Sequence, residues 1–252
     1  MQLFLKYDFG LPEDEMKKFL ETVNAFPYFQ EQVQASKSGA YTSLDIGSAT
    51  GRYPMLLSRL GFHSYGIDRE KEAIAYSIGQ IKNAAWPKFI HGDALDMRSH
   101  LDADVHFNVI TCMMGTFEHI PKEKQESLVT QMRERLAPGG VVIISVWDVE
   151  CRHLAYLSIY GEDQKELIRQ NGRTQEDMQA LLTDCGLVSI RTVPFCLLPQ
   201  SIVYDLGIDS TRPEDIGIAA QADLVARALF SSRHGEMFLA IGHKELNMEE
   251  RS

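Results

Sequence analysis

The stretch YTSLDIGSATG, residues 41–51, decides the fold of this chain. A run of strand-forming residues ends near Asp45, two glycines follow at Gly47 and Gly51, and a helical pattern begins directly after them. A strand, a glycine turn and a helix N-terminus in this order place free backbone N–H groups beside a bound ligand. Ala49 lies at the second glycine of the dinucleotide-binding pattern G-x-G-x-x-G, where its methyl group disfavours close approach of a pyrophosphate. A tight turn without a ligand is the alternative for this loop alone.

Apolar runs and helical patterns alternate on the carboxyl side of this loop. They predict strands at residues 41–47, 63–68, 88–93, 106–112 and 141–147, with helices at 52–60, 70–82 and 122–136 between them. This alternation is typical of an α/β fold, in which helices cover both faces of a mostly parallel sheet. We therefore expect an α/β fold with a mostly parallel sheet, and two further strands at its edge bring the number of strands to seven.

Those two strands are predicted at residues 187–195 and 235–244, as an antiparallel hairpin at the end of the sheet. An insertion at residues 196–233, with a helical pattern at 218–230, interrupts this hairpin. A helix at 173–185 precedes it, and Thr174 with Asp177 resembles a capping box. No shift in composition marks a domain boundary, so residues 1–252 are predicted to form one domain.

The composition restricts the kind of partner. The chain has 252 residues and a formal net charge of -10, which argues against a large nucleic-acid footprint. No apolar window is long enough for a membrane span, and the first residues do not resemble a signal peptide, so we expect a cytoplasmic protein that does not bind a membrane. The cysteines, which lack metal-site spacing, are expected to be reduced: Cys112, Cys151, Cys185 and Cys196.

Asp68 ends the second predicted strand, about twenty residues after the glycine loop. In this topology a carboxylate at that point can accept hydrogen bonds from the two hydroxyls of a ribose. The alternative is that Asp68 caps the helix beginning near Glu70. One carboxylate can perform both roles, because its two oxygen atoms can accept from different partners.

Further motifs follow in order: HGDALDM at residues 91–97, CMMGTFEHIP at 112–121 and RERLAPGGVVIIS at 133–145. Together with DIGSATG and Asp68, they resemble a class I S-adenosylmethionine-dependent methyltransferase over residues 42–147. That family tolerates alanine at its middle glycine, as at Ala49. A Rossmann dehydrogenase is the rival interpretation, but it would more often carry all three glycines.

The resemblance implies S-adenosylmethionine as the cofactor and a core at residues 41–147 that binds it. In the Rossmann-like fold of this family, Gly47 and Gly51 would border the methionine moiety and ribose, with Ala49 in the same cofactor-binding loop. Asp45 would anchor the loop or the amino group, and Asp68 would hold the ribose hydroxyls. The adenine would contact Asp93 and Ala94, while Met113 and Met114 would line the cleft. Met97 fits the cleft or the core equally well. The segment 1–40, with a helix at 13–35, would form a lid, and 148–252 would face the acceptor.

His119 is the candidate general base because it follows the fourth strand at the ligand-binding edge. The alternative is a histidine that packs against the cofactor or loop without transferring a proton. Tyr160 is the candidate acceptor contact after the fifth strand, and Tyr7 and Tyr28 lie in the N-terminal segment. Packing is the alternative for each tyrosine.

A locally basic stretch follows the fifth strand. It contains Arg152, His153, Arg169 and Arg173, and one of these arginines would suit a carboxylate on the acceptor. A solvated helix face paired with acidic neighbours is the preferred alternative. No set of residues predicts a metal site, so none is expected.

The interpretation is a methyltransferase that methylates a nitrogen or oxygen of a small molecule, as a monomer or homodimer. A protein or RNA methyltransferase, and a protein that binds S-adenosylmethionine without catalysis, are the alternatives. The helix at 13–35 has five large apolar residues that must pack on something: Phe19, Leu20, Val23, Phe26 and Phe29. Either it closes over the cleft as a lid or it permanently supports the sheet.

Overall fold

A seven-stranded mixed sheet forms the centre of the molecule. The structure, a computed structural model, describes residues 12–35, 41–82, 84–150, 162–196, 218, 221–225 and 235–246. The strands are β1 (Tyr41–Ile46), β2 (Phe62–Asp68), β3 (Lys88–His91), β4 (Phe107–Cys112), β5 (Leu136–Trp147), β6 (Val188–Phe195) and β7 (Met237–His243). Their spatial order is β3-β2-β1-β4-β5-β7-β6. The first five are parallel to one another, while β7 is antiparallel to β5 and β6.

Helices connect and cover these strands. They are α1 (Pro12–Ala35), α2 (Arg52–Arg59), α3 (Lys71–Gln80), α4 (Met97–His100), α5 (Lys122–Arg135), α6 (Glu162–Asn171) and α7 (Gln175–Asp184). Short 3-10 helices lie at Ala94–Asp96 and Thr116–His119. The predicted fold class is therefore confirmed, including the antiparallel hairpin of β6 and β7. Within the described ranges, every helix is too short or too polar to cross a membrane.

Two apolar cores lie on opposite faces of the sheet because alternate side chains of a strand point to opposite sides. In β5, Val141 and Ile143 pack with Phe29 of α1 and Leu57 of α2. The next residues in register, such as Val142, pack with α5 and α7 on the other face. Because the first five strands are parallel, their carboxyl ends lie at one edge of the sheet. Open α/β sheets bind their ligands at this edge.

Two local predictions have clear outcomes. The capping box of α7 is confirmed, because the Thr174 hydroxyl accepts from the Asp177 N–H at 3.0 Å and the Asp177 carboxylate accepts from the Thr174 N–H at 3.5 Å. The fifth strand begins five residues earlier than the predicted start at residue 141. Strand β5 begins at Leu136, directly after α5, and Leu136 pairs with Phe107 before a register shift brings Val141 opposite Val109. Residues 137–140 are therefore accommodated by an irregularity within the strand.

Helix α1 packs through part of the apolar set expected from its sequence. Leu20 and Phe29 are buried and Phe26 packs against the same core, whereas Phe19 and Val23 are exposed. The expectation that all five pack inward was therefore wrong for two of them. The side of α1 that faces the core also carries polar residues, since Lys17 and Glu21 are both fully buried.

Candidate active site

The glycine loop after β1 has the left-handed backbone that its sequence suggests. Gly47 and Gly51 have φ angles of 69° and 89°, and Ala49 has a φ of 42°. Ala49 therefore adopts a conformation that favours glycine, at a cost of about 1 kcal/mol. This conformation directs the Ala49 N–H to the Asp68 carboxylate, where the donor–acceptor distance is 2.8 Å.

Gly47 is required by close packing as well as by its φ angle. A Cβ atom built on Gly47 would lie 2.7 Å from the Thr116 hydroxyl and still closer to its methyl group. The loop after β1 and the segment after β4 thus touch at the carboxyl edge of the sheet. Ser48, between Gly47 and Ala49, has a buried hydroxyl without a hydrogen-bond partner, and this hydroxyl lies against Gly66 of β2.

Asp68 links this loop to the start of α3. One carboxylate oxygen accepts from the Ala49 N–H, and the other accepts from the Glu70 N–H at 2.8 Å. The second contact is to Glu70, the residue before α3, and not to an N–H of the first helical turn, so the structure does not show Asp68 as the cap of this helix. Each carboxylate oxygen has more than one lone pair, so these bonds fix the group and leave acceptor sites for hydroxyls.

The other predicted cofactor residues lie at successive strand ends. Asp45 is buried and accepts from the Thr111 hydroxyl at 2.7 Å. Asp93 is exposed and accepts from the Leu95 N–H at 2.9 Å, which starts the 3-10 helix containing Ala94. Met97 is fully buried in the core, which agrees with its alternative role as a core residue.

Met113 and Met114 begin the turn after β4, and an unpredicted carboxylate holds this turn. Met113 is buried, while the half-buried Met114 has a φ of 54° and donates its N–H to Glu21 of α1 at 2.8 Å. The other Glu21 oxygen accepts from the Tyr53 hydroxyl at 2.6 Å. Burial raises the pKa of Glu21, and the Ser145 hydroxyl and these donors oppose that rise. Burial and the charge of Glu21 raise the pKa of Tyr53.

Glu118 is a second buried carboxyl that the sequence interpretation did not select. Its Oε1 accepts from the backbone N–H of Trp147, at the end of β5, with a distance of 2.6 Å. Its Oε2 is buried and has no hydrogen-bond partner. The pKa of Glu118 is raised to about 7, mainly by burial; the backbone N–H groups of Trp147 and Glu118 oppose the rise, and the charge of Glu21 contributes to it.

A turn glycine brings Glu118 and Trp147 together. Gly115 has a φ of 73°, and a Cβ atom built on it would lie 2.8 Å from the Trp147 indole nitrogen and 3.6 Å from Glu118 Oε2. Glu118 Oε2 is therefore directed at the backbone of the turn after β4. Glu21 and Glu118 lie beside the same short segment, residues 113–115.

His119, the predicted general base, is exposed and faces a different neighbourhood. Partial desolvation of its ring lowers its pKa, the charge of Arg69 lowers it further, and the charge of Asp68 opposes both. Arg69 directly follows β2, so His119 lies on the side of the predicted ribose contact. Its role in catalysis stays a prediction.

Some of the remaining predicted residues contact other side chains of the protein, and others lie outside the described residues. Tyr28 packs against the core as its alternative role required. Arg169 is exposed and pairs with Glu166 at 3.4 Å, which agrees with the solvated helix face. Arg173 instead donates to the Gln125 side chain at 2.6 Å. Outside the described residues lie Tyr7, Tyr160, Cys151, Arg152 and His153.

The part of the chain that is described contains free cysteines and no candidate metal site. Cys112, Cys185 and Cys196 are free thiols there. Within the same residues, no group of three or more His, Cys, Asp or Glu side chains is placed to hold a metal ion. An open surface cleft of about 500 Å³ lies between Leu95, Arg98 and one side of α5, away from both buried glutamates.

Comparison with known proteins agrees with this geometry. A family model described as a methyltransferase domain matches residues 12–191, which is more than half of the chain. A search of curated proteins found no match. Among solved structures, the chain is similar to a SAM-dependent methyltransferase from Archaeoglobus fulgidus, with a TM-score of 0.63, 15% identity and coverage of 96% of this chain and 98% of that chain.

Two further structures have the same fold. The plantazolicin methyltransferase BamL, solved in complex with a triazolic desmethylPZN analog and SAH, has a TM-score of 0.61 and 16% identity, over 96% of this chain and 94% of that chain. The N-methyltransferase NodS from Bradyrhizobium japonicum has a TM-score of 0.54 and 16% identity, over 90% of this chain and 97% of that chain. At these identities the similarity concerns the fold.

Proposed function

This chain belongs to the methyltransferase domain family and is an S-adenosylmethionine-dependent methyltransferase, and we propose that it methylates a nitrogen or oxygen atom of a small molecule. The observation that carries the proposal is the bond between Glu21 and the Met114 backbone. Through it, the N-terminal half of α1 contacts the turn after β4, and Lys17 of the same helix lies over Trp147 at the end of β5. An edge covered in this way suits an enclosed small acceptor better than a broad macromolecular surface.

The residues at the carboxyl edge suit S-adenosylmethionine. The fixed Asp68 carboxylate, which holds the loop of Gly47, Ala49 and Gly51 through the Ala49 N–H, retains acceptor sites suited to ribose hydroxyls. When bound, the cofactor supplies a methyl group already activated by its sulfonium. We assign Asp93 and Ala94 to the adenine side because they follow β3 at the same edge.

The main task of the protein is then to orient the acceptor and to exclude water. Helix α1 contributes to both, since its buried Leu20 and Glu21 cover the edge while Glu21 fixes the turn at Met114. The negative net charge, -10, makes RNA a less suitable acceptor than a neutral or cationic metabolite.

The proposal is tested with S-adenosylmethionine carrying a labelled methyl group. The protein is incubated with a panel of small amines, alcohols, phenols and carboxylates, and separately with cell protein and RNA. We expect label in the small-molecule fraction, and loss of that label in Asp68→Ala, with Asp96→Ala at an exposed aspartate as the matched control. Label only in protein or RNA would contradict the proposal. Binding of S-adenosylhomocysteine without label in any fraction would indicate a non-catalytic protein.

A further inference from the structure

Glu118 has a buried carboxylate oxygen that the fold does not use. Its Oε1 holds the Trp147 N–H and thereby ties the segment after β4 to the end of β5. That contact needs only one oxygen. Its Oε2 is buried, is without a hydrogen-bond partner, and is directed at the Gly115 turn. An unpaired buried carboxylate oxygen is costly, and a ligand that binds there would remove that cost.

The surroundings of this oxygen favour a cation as that partner. Glu21 adds a second buried carboxyl beside residues 113–115, where it accepts from the Met114 N–H. The Trp147 ring beside Gly115 already accepts one ammonium group, since Lys17 Nζ lies 4.5 Å from the ring centroid and pairs with Glu236 at 3.1 Å. Aromatic faces and carboxylates together are the groups that recognise ammonium ions.

We propose that Glu118 Oε2 binds a protonated amine of the acceptor and takes up its proton before methyl transfer. The enzyme would therefore be an amine N-methyltransferase with Glu118 as the proton acceptor. This inference rests on the proposed function and narrows it from nitrogen or oxygen to an amine nitrogen.

The step balances in atoms and charge. The ammonium N–H bond breaks, the proton binds Glu118 Oε2, and the nitrogen recovers its lone pair. That lone pair forms the new bond to the methyl carbon, while the bond from sulfur to that carbon breaks and its electron pair goes to sulfur. No other reactant is needed. The proton leaves Glu118 when the site next opens to water.

The groups packed around Glu118 are compatible with proton uptake near neutral pH. Its pKa is raised to about 7, mainly by burial and in smaller part by the charge of Glu21 on α1, while the backbone N–H groups of Trp147 and of Glu118 itself oppose the rise. The contacts from α5 and α6 to its segment come from neutral amides, Gln125 to the Phe117 carbonyl and Asn171 to the Glu118 carbonyl. From β5, the Trp147 N–H is the opposing donor.

The test measures binding rather than turnover. The protein is saturated with S-adenosylhomocysteine, and the affinity of benzylammonium is compared with that of benzyl alcohol by calorimetry or ligand-observed NMR. We expect wild type to prefer benzylammonium by at least about tenfold, and Glu118→Gln to lose this preference. Glu118→Gln keeps an oxygen for the Trp147 N–H, and Glu123→Gln at an exposed position is the matched control. Unchanged S-adenosylhomocysteine affinity shows that each variant is folded.

A second measurement needs no variant. As the pH increases toward 7, wild-type affinity for benzylammonium should rise about tenfold per pH unit, because the fraction of Glu118 in the carboxylate form increases. Above pH 7 the affinity should level off. The inference is overturned if benzylammonium does not bind, if the alcohol binds equally well, or if Glu118→Gln retains the preference. These outcomes are distinct from failure of the proposed function, which is an absence of labelled small-molecule product.

Discussion

Replacing Glu118 with glutamine should reduce the pH dependence of stability. The pKa of this carboxyl is raised from 4.5 to about 7 in the folded protein, mainly by burial. Between these values the folded protein keeps the proton that the unfolded chain has lost, so stability falls as pH rises through this window. At about 1.4 kcal/mol per pKa unit, wild type should lose about 2 kcal/mol through Glu118 between about pH 5.5 and pH 8.

The measurement is urea unfolding of wild type, Glu118→Gln and the exposed control Glu123→Gln at both pH values. We expect the free energy of unfolding of wild type and Glu123→Gln to fall by about 2 kcal/mol more than that of Glu118→Gln. The amide retains an acceptor for the Trp147 N–H, so the backbone contact is kept. Parallel losses in all three proteins would refute the argument that Glu118 is buried with a raised pKa.

Three further predictions concern the cofactor loop and α1. Asp68→Ala should weaken S-adenosylhomocysteine binding by about 1–3 kcal/mol in calorimetry, because it leaves polar partners unpaired; an unchanged affinity in a folded variant would restrict Asp68 to the helix start. Ala49→Gly should raise the free energy of unfolding by about 0.5–1 kcal/mol, because glycine relieves the φ of 42°; a less stable variant would contradict this. If α1 is a lid, hydrogen exchange across Pro12–Ala35 should slow when S-adenosylhomocysteine and acceptor bind, whereas equal protection would identify a permanent support.

The glycine loop was predictable because its residues act locally. Gly47, Gly51 and Asp68 follow strand ends, and the alternation of elements brings those ends to one edge. The capping box of Thr174 and Asp177 was predictable for the same reason, since both members lie within one turn. The start of β5 was not predictable from local sequence, because the APGG stretch resembles a break between elements. Pairing with β4 extends the strand back to Leu136.

The buried glutamates were harder to predict because their environment is formed by distant residues. Glu21 lies between apolar residues of α1, and its partners Tyr53 and Met114 are 32 and 93 residues away. A carboxylate within the apolar run FLETV was the available signal. His119, next to Glu118, was chosen as the base because it follows the fourth strand at the ligand-binding edge and because histidine ordinarily titrates near neutral pH. Burial, which the sequence does not show, raises the pKa of Glu118 into the same range.

A crystal structure with S-adenosylhomocysteine and a methylated acceptor from the panel tests the central claim most directly. The measured quantity is the distance from the acceptor nitrogen to Glu118 Oε2. We predict about 3 Å, with the acceptor beside Gly115 and covered by α1. An acceptor bound through an oxygen atom, or bound elsewhere while Glu118 Oε2 stays buried and unpaired, would contradict the account.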